Sequence, residues 1–234
     1  CSQTVKTHPV ALTGECADEI FGGYPWFHRE DLLEQPLFPW SYDMEPRTSL
    51  LREDFLRENH IKDYTVAAYE ASLAATPALP GESPLEARRR EIAWLNVRWF
   101  MATLLNRMDR CSMYCGLEAR VPFADYRILE YVYNIPWEMK CKDGIPKSLL
   151  VEAGREFLPE EILFRKKSPY PKTYDKEYER LVVGRLKKVL KQKHAPILEI
   201  VDKKKVLAFL DSPKDYGKPW YGQLMAGVQM VGYL

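Results

Sequence analysis

The broadest stripe of apolar residues along this chain lies downstream of Ser83. Ile92, Leu95 and Trp99 recur three or four positions apart, the spacing that places side chains on one face of an α-helix. The helix-start pattern S-P-L-E precedes them, with serine as the cap, proline in the first turn and a glutamate that can reach back to the cap. Further apolar residues widen the stripe, so we predict a buried central helix over residues 84–107 of an α-rich body.

Shorter elements are predicted elsewhere along the chain. A short apolar run, Val10 to Leu12, is bounded by Pro9 and Gly14 and predicts a buried strand. Further helices are predicted over residues 49–58, 61–75, 126–133, 175–193, 203–210 and 221–234, and at the residues that follow Lys147. The pattern therefore predicts a mainly α chain with one strand near its N-terminus.

Polar and acidic side chains cluster directly after the predicted strand. Thr13 and Gly14 follow it, at the place where open α/β sheets hold their ligands. Glu15, Asp18 and Glu19 then place three carboxylates at the start of the next segment. Two interpretations stay open, because such carboxylates can complement a helix N-terminus or can bind Mg²⁺ together with phosphate oxygens.

A second set of charged residues follows the predicted central helix. Asp109, Arg110, Glu118 and Arg120 lie among apolar residues. We therefore expect them to pair with one another in a buried charge network beside the site. Contact of Arg120 with a substrate is the alternative.

Composition and charge exclude several classes of protein. Of 234 residues, 46% are hydrophobic and 29% are charged, as in ordinary globular proteins. The formal net charge of +1 argues against nucleic-acid binding, although residues 165–205 hold 14 Lys and Arg against 5 Asp and Glu. That block is typical of a solvated helix face or of a phosphate-binding or partner surface. No apolar run is long enough to span a membrane, and five cysteines without a signal peptide predict reduced thiols in a cytoplasmic protein.

Three stretches together resemble one enzyme family, the glutamine-dependent asparagine synthetases. Residues 13–24 read T-G-E-C-A-D-E-I-F-G-G-Y and resemble the family signature S-G-E-G-S-D-E-h-F-G-G-Y, where h is apolar. Residues 104–125 are similar to the family pattern L-L-x-R-x-D-R-x-S-M-x-x-G-L-E-x-R-V-P-F-L-D. Lys147 matches the lysine of the pattern G-x-x-K-x-x-L, and residues 165–167 resemble the R-x-K segment that follows it.

The resemblance implies an ATP-dependent amidation of aspartate to asparagine through an aspartyl-adenylate, with ammonia derived from glutamine. It implies that Lys147 neutralises the α-phosphate as charge builds there. Glu15 would orient or deprotonate the attacking ammonia. ATP is then a substrate, and Mg²⁺ a cofactor that stabilises the departing pyrophosphate.

The other site residues also follow from the resemblance. Thr13 and Gly14 would contact ATP. Asp18 and Glu19 would hold pyrophosphate and Mg²⁺, with Asp18 as the metal ligand. The four charged residues of the second stretch would not contact the ligands themselves but would lie behind the residues that do. They are Asp109, Arg110, Glu118 and Arg120.

The fold implied is the carboxyl-terminal part of an α/β synthetase domain of the adenine-nucleotide α-hydrolase-like (PP-loop ATPase) class. Residues 1–234 lack the pyrophosphate-loop signature S-G-G-x-D-S and a glutaminase domain. We therefore expect both to lie upstream in the same polypeptide, with Cys1 marking where a longer protein was cut. The isolated chain is expected to be inactive, and its oligomeric state, including a homodimer, is left open.

Several positions depart from the family pattern. Thr13 replaces serine and keeps the hydroxyl, whereas Cys16 and Ala17 stand where glycine and serine are common. Val151 stands where an arginine often follows the lysine motif. Two alternatives stay open: a β-lactam synthetase or peptide cyclase of the same superfamily, and a non-catalytic helical interaction module. Glu15 favours the asparagine enzymes, because the β-lactam formers carry tyrosine there.

Overall fold

A computed structural model describes residues 1–165 and 176–211 of the chain. The chain forms two compact units. The first, here the N-terminal unit, comprises Cys1–Tyr42 and Ala67–Lys166. The second, here the lysine-rich unit, comprises Asp43–Val66 and Lys167–Leu234.

Helices dominate the described residues of both units, as the apolar spacing predicts. The α-helices are α1 Ala17–Phe21, α2 Glu30–Leu33, α3 Glu45–Thr48, α4 Glu53–Glu58, α5 Ile61–Ala74, α6 Pro84–Leu95, α7 Ala102–Met113, α8 Tyr126–Tyr133, α9 Trp137–Lys140, α10 Ser148–Gly154, α11 Glu160–Leu163, α12 Lys176–Val189 and α13 Lys203–Asp211. Single turns of 3₁₀-helix lie at Thr4–Lys6, Pro25–Phe27, Pro122–Ala124, Lys142–Gly144 and Pro196–Glu199. The helix predicted over residues 221–234 lies outside the described residues.

The predicted central helix is confirmed and is longer than expected. The Ser83 side chain accepts a hydrogen bond from the Glu86 backbone N–H at 3.3 Å, and the Glu86 carboxylate accepts one from the Ser83 N–H at 3.1 Å. From this cap, α6 continues through a π-helical turn at Asn96–Met101 into α7. Ile92 and Leu95 are fully buried, in two different hydrophobic clusters of the N-terminal unit. The helix therefore holds the core of this unit together.

The strand at Val10–Leu12 (β1) is confirmed, but the prediction that it is buried is wrong. It pairs in parallel with a second strand, Glu118–Arg120 (β2), with Val10 opposite Glu118 and Leu12 opposite Arg120. Leu12 is 74% exposed, because the described pair leaves both outer residues of β1 uncovered. The second strand was not predicted, since E-A-R carries no apolar alternation.

A hydrophobic cluster fixes α1, the helix that carries the predicted site acids. Cys16, Ile20 and Phe21 are buried together with Met101 from the π turn and Val132 from α8. Burying apolar side chains of this size contributes about 1.5–3 kcal/mol each. Because α1 has only five residues, this packing and not helix propensity holds it in place.

The lysine-rich unit has its own core. Leu186 of α12 and Leu190, directly after this helix, are each 1% exposed and pack with Phe209 of α13 and with the residues around Val201. Lys187 and Lys188 lie between these buried positions, and Lys188 is exposed. A solvated helix face therefore accounts for this part of the basic block. No helix among the described residues has the length and apolar character needed to cross a membrane.

Lys140, at the end of α9, is a buried cation of the N-terminal unit. It is 7% exposed, and its Nζ donates to the Tyr133 carbonyl oxygen at 3.3 Å. Burial, with a smaller contribution from the nearby Arg90 charge, lowers the pKa of Lys140 to about 8. The folded protein therefore bears a charged group that has lost most of its hydration.

This buried lysine predicts a pH dependence of stability. Between pH 8 and the ordinary lysine pKa of about 10.5, the unfolded chain binds more protons than the folded one, so the free energy of unfolding rises with pH. Replacing Lys140 by Met is expected to raise the free energy of unfolding by about 2 kcal/mol at pH 7, with a smaller gain at pH 9.5. Urea denaturation followed by tryptophan fluorescence measures both, with exposed Lys142→Met as the matched control. A loss of stability in Lys140→Met at pH 7 contradicts the expectation.

Candidate active site

The loop between β1 and α1 continues the strand pairing for one residue and then turns. The Thr13 N–H donates to the Arg120 carbonyl oxygen at 2.9 Å, and the Thr13 hydroxyl accepts from the Glu15 N–H at 3.3 Å. Gly14 is exposed, and a Cβ at this position would meet nothing within 4 Å. The loop thus offers an open backbone surface at the carboxyl end of β1.

Cys16, the residue directly before α1, lies in the left-handed backbone region. Its φ is +74°, a conformation that glycine adopts freely and other residues adopt at a cost of about 1–2 kcal/mol. The thiol is 1% exposed in the cluster around α1. Burial, together with the charges of Glu19 and Glu15, raises the pKa of Cys16 to about 12, so the thiol stays protonated. The family's glycine at this position therefore matches the backbone seen here.

The backbone conformation of Cys16 predicts that two substitutions at this position differ in their effect on stability. Cys16→Gly relieves the backbone cost but loses the buried thiol, so the free energy of unfolding should change by no more than about 1 kcal/mol. Cys16→Val places a β-branched side chain at a positive φ and should lower it by about 2 kcal/mol or more. Urea denaturation measures the difference. Equal stability of the two variants would show that this conformation is not strained.

Asp18 and Lys147 form the ion pair at the centre of the candidate site. Lys147 Nζ lies 3.0 Å from Asp18 Oδ1, and the two side chains are 30% and 23% exposed. Lys147 precedes α10 with a φ of +59°, a conformation that is uncommon for lysine and recurs where function constrains the backbone. The structure thus joins residues 129 positions apart in the sequence, one from each of two predicted motifs.

Gly23 makes room for Asp18. A Cβ on Gly23 would lie 1.9 Å from Asp18 Oδ1 and 3.1 Å from its Cα, and the Gly23 N–H donates to the Asp18 carbonyl oxygen at 2.8 Å. Its neighbour Gly22 ends α1 at a φ of +73°, and a Cβ there would lie 2.6 Å from the Trp137 ring. At both glycines of the signature, a larger residue would therefore clash with its neighbours in this structure.

Glu15 pairs with an arginine that the sequence analysis did not single out. Arg107 Nη2 on α7 lies 2.9 Å from Glu15 Oε1. The Glu15 side chain is 12% exposed, and its other carboxylate oxygen is buried with no hydrogen-bond partner among the described residues. Arg107 is the fixed arginine of the pattern L-L-x-R-x-D-R, which was the signal that could have identified it. The site thus contains two ion pairs, Asp18 with Lys147 and Glu15 with Arg107.

Glu19 faces inward from α1. It is 2% exposed, and one of its oxygens accepts a hydrogen bond from the Tyr24 hydroxyl at 2.6 Å. Burial and this hydrogen bond raise the pKa of Tyr24 above its ordinary range. The carboxylate therefore helps to hold the Gly-Gly turn, and its predicted contact with pyrophosphate and Mg²⁺ stays a prediction.

The charged residues of the second motif are not buried as expected. Asp109, Arg110, Glu118 and Arg120 are all exposed. Arg120 Nε lies 2.7 Å from Glu118 Oε1, in a pair with both side chains more than half exposed. The reason is that β2 places both residues on the uncovered side of the two-stranded sheet. Their role beside the site stays a prediction.

Asp18, the predicted Mg²⁺ ligand, suits a metal ion whose other ligands are phosphate oxygens of the nucleotide and water. Among residues 1–165 and 176–211, no group of three or more metal-ligating side chains lies together. Mg²⁺ in nucleotide sites is commonly held by one or two carboxylates, with phosphate oxygens and water completing its shell. Asp18, partly exposed beside Lys147, meets that requirement.

One family profile and one curated relative are similar to this chain over nearly its whole length. The profile of the family described as asparagine synthase matches residues 1–232. Asparagine synthetase [glutamine-hydrolyzing] 3 of Bacillus subtilis is 46% identical to this chain over 100% of the chain and 38% of the relative. Asparagine synthetase [glutamine-hydrolyzing] 1 of the same organism is 28% identical over 73% of this chain and 32% of the relative.

A mammalian relative matches a shorter part of the chain. The rat asparagine synthetase [glutamine-hydrolyzing] is 46% identical over 67 residues, which are 27% of this chain and 12% of that protein. The chain spans well under half the length of the curated relatives it matches. The match of the family profile, together with the identity to the first relative, shows that this chain belongs to the asparagine synthase family.

Proposed function

We propose that this chain is the carboxyl-terminal portion of the synthetase domain of a glutamine-hydrolysing asparagine synthetase. The observation that carries the proposal is the Lys147–Asp18 ion pair, placed beside the Glu15–Arg107 pair at the end of β1. Family membership supports the same assignment. In this proposal, pyrophosphate-loop and glutaminase segments of the same polypeptide complete the enzyme.

The first proposed step activates aspartate. An oxygen of its side-chain carboxylate attacks the α-phosphorus of ATP, and the bond from that phosphorus to pyrophosphate breaks. Negative charge gathers at the α-phosphate, and the Lys147 ammonium neutralises it. Thr13 and Gly14 contact the nucleotide from the exposed loop. Asp18 would hold Mg²⁺, with a contribution from Glu19, and the bound metal would offset the charge of pyrophosphate.

The second proposed step forms the amide. Ammonia attacks the acyl carbon of aspartyl-adenylate, and the bond from that carbon to the AMP oxygen breaks. Glu15 orients the ammonia and takes its proton. Arg107 fixes one oxygen of this carboxylate, which leaves the buried second oxygen for the nitrogen nucleophile. Glutamine, hydrolysed in the upstream segment, would supply the ammonia.

Exchange of labelled pyrophosphate into ATP tests the proposal on the protein at its native length. Aspartate is expected to stimulate the exchange, whereas glutamate and other carboxylic acids leave it at background. Stimulation by another acid but not by aspartate would assign the chain to a different carboxylate-activating member of the superfamily. No exchange with any acid would overturn the proposal in favour of a non-catalytic module.

A further inference from the structure

A cavity of about 110 Å³ lies within the N-terminal unit, outside the candidate active site. Its walls come from α6, from the end of α1 and from the segment that joins α8 to α9. Ile20, Leu79 and Ile135 form part of an apolar wall, and Arg89 and Lys140 also line the space. A cavity of about 150 Å³ holds benzene, so this smaller one has room only for a correspondingly smaller organic group.

Three cations line this cavity, and two of them, Arg89 and Lys140, form no ion pair with a carboxylate among the described residues. The Arg89 guanidinium lies 4.7 Å from the centre of the Trp137 ring, and its Nε is buried with no hydrogen-bond partner among the described residues. Lys140 is 7% exposed, and a backbone carbonyl accepts from its Nζ. A buried cation without a carboxylate is costly, and a bound anion would offset that cost.

The acidic residues on the wall already have partners. Glu82 lies 2.6 Å from Arg90, and these two side chains are 13% and 8% exposed. Arg90 also donates to the Asn134 side-chain oxygen at 2.8 Å. Glu86 accepts from both the backbone and the hydroxyl of Ser83 in the cap of α6. The partners of Glu86 are neutral groups, so its charge still acts on Arg89. The three cations and two acids of the wall nevertheless leave one net positive charge for a ligand.

We propose that this cavity binds a small organic carboxylate, with the carboxylate on Arg89 and Lys140 and the hydrocarbon part against Ile20, Leu79 and Ile135. Charge-assisted hydrogen bonds from guanidinium and ammonium groups suit a carboxylate. The apolar wall favours a carboxylate with a short hydrocarbon part over a fully hydrated inorganic anion. The site stands apart from Lys147 and Asp18, so the proposal does not depend on the proposed reaction.

The cavity also adjoins the helix that carries Asp18. Ile20 and Gly22 belong to its wall, and Gly22 packs closely against Trp137 on the same wall. An occupant would therefore contact the end of α1, four residues or fewer from Asp18. Binding in the cavity would change the position of Asp18 only if the ligand bound more tightly to one position of α1 than to another.

Isothermal titration calorimetry on the protein at its native length tests the site, with propionate, glutarate and inorganic phosphate as separate probes. We expect a carboxylate to bind with a Kd below about 1 mM and more tightly than phosphate. Arg89→Gln and Lys140→Met should each weaken binding at least about tenfold. Arg155→Gln, an exposed arginine of the same unit, is the matched control and should bind as the wild type does.

Lys147→Met separates this cavity from the active site. Carboxylate binding that persists in Lys147→Met and is lost in Lys140→Met supports the proposal, and urea denaturation of each variant verifies that it is folded. Binding that is lost in Lys147→Met belongs to the active site and overturns the proposal. Tighter binding of phosphate, no binding of either carboxylate, or unchanged binding in both cavity variants also overturns it.

Discussion

Replacing Lys147 by Met is expected to lower aspartate-dependent ATP–pyrophosphate exchange by about 10²-fold to 10³-fold. The substitution keeps a side chain of similar length and removes the charge that lies 3.0 Å from Asp18. The loss should fall mainly on kcat, because the proposed charge on the α-phosphate develops in the transition state. Arginine at this position restores the charge but not its geometry, so Lys147→Arg should recover only part of the rate.

The matched control for this substitution is Lys142→Met. Lys142 is an exposed lysine in the same turn-rich segment, and it has no place in the proposed mechanism. Its exchange rate should equal that of the wild type. A normal rate in Lys147→Met, or an equal loss in both variants, would contradict the assignment of Lys147.

Gly23→Ala is expected to disable the site by displacing Asp18. The new methyl group would lie 1.9 Å from Asp18 Oδ1 and 2.8 Å from its Cγ, so the carboxylate must leave its place beside Lys147. The backbone Cα of Asp18, at 3.1 Å, also limits relief by a simple change of rotamer. A displacement of about 1 Å at a reacting centre commonly costs about 10²-fold in rate. Overpacking should also lower the free energy of unfolding by about 1–3 kcal/mol.

A double variant separates displacement of Asp18 from general damage. If Gly23→Ala acts through the Asp18–Lys147 pair, it should lower the exchange rate much less in a Lys147→Met background than in the wild type. Gly184→Ala, in α12 with no neighbour within 4 Å of the added methyl group, is the control for stability. Independent, multiplicative losses would show that Gly23 acts elsewhere.

Local signals in the sequence identified the longer helices, whereas the four-residue helices α2, α3, α9 and α11 were not predicted. Ser83 and Glu86 predicted the start of α6, and the cap has both of its hydrogen bonds. The end of that helix was placed too early because the π turn at Asn96–Met101 shifts the helical spacing that periodicity detects. Strand β2 was missed because three residues with charged ends carry no strand pattern, and its pairing with β1 is a contact between distant segments.

The candidate site shows the same division between local and distant signals. Glu15, Asp18 and Lys147 were singled out through motifs, whereas their pairing depends on how α1, α7 and α10 pack. Arg107 went unnoticed because its partner lies 92 positions earlier in the chain. Conversely, apolar neighbours in sequence suggested burial for Glu118 and Arg120, and the exposed face of β2 gives them the opposite surroundings.

The most direct measurement uses aspartate labelled with ¹⁸O in its side-chain carboxylate, supplied with ATP and ammonia to the protein at its native length. If that carboxylate attacks the α-phosphorus, one labelled oxygen must pass into AMP when ammonia displaces it, and asparagine keeps the other. Lys147→Met should slow the appearance of labelled AMP without changing where the label goes. Label that appears in inorganic phosphate, with ADP as the second product, would contradict activation of the carboxylate by adenylation.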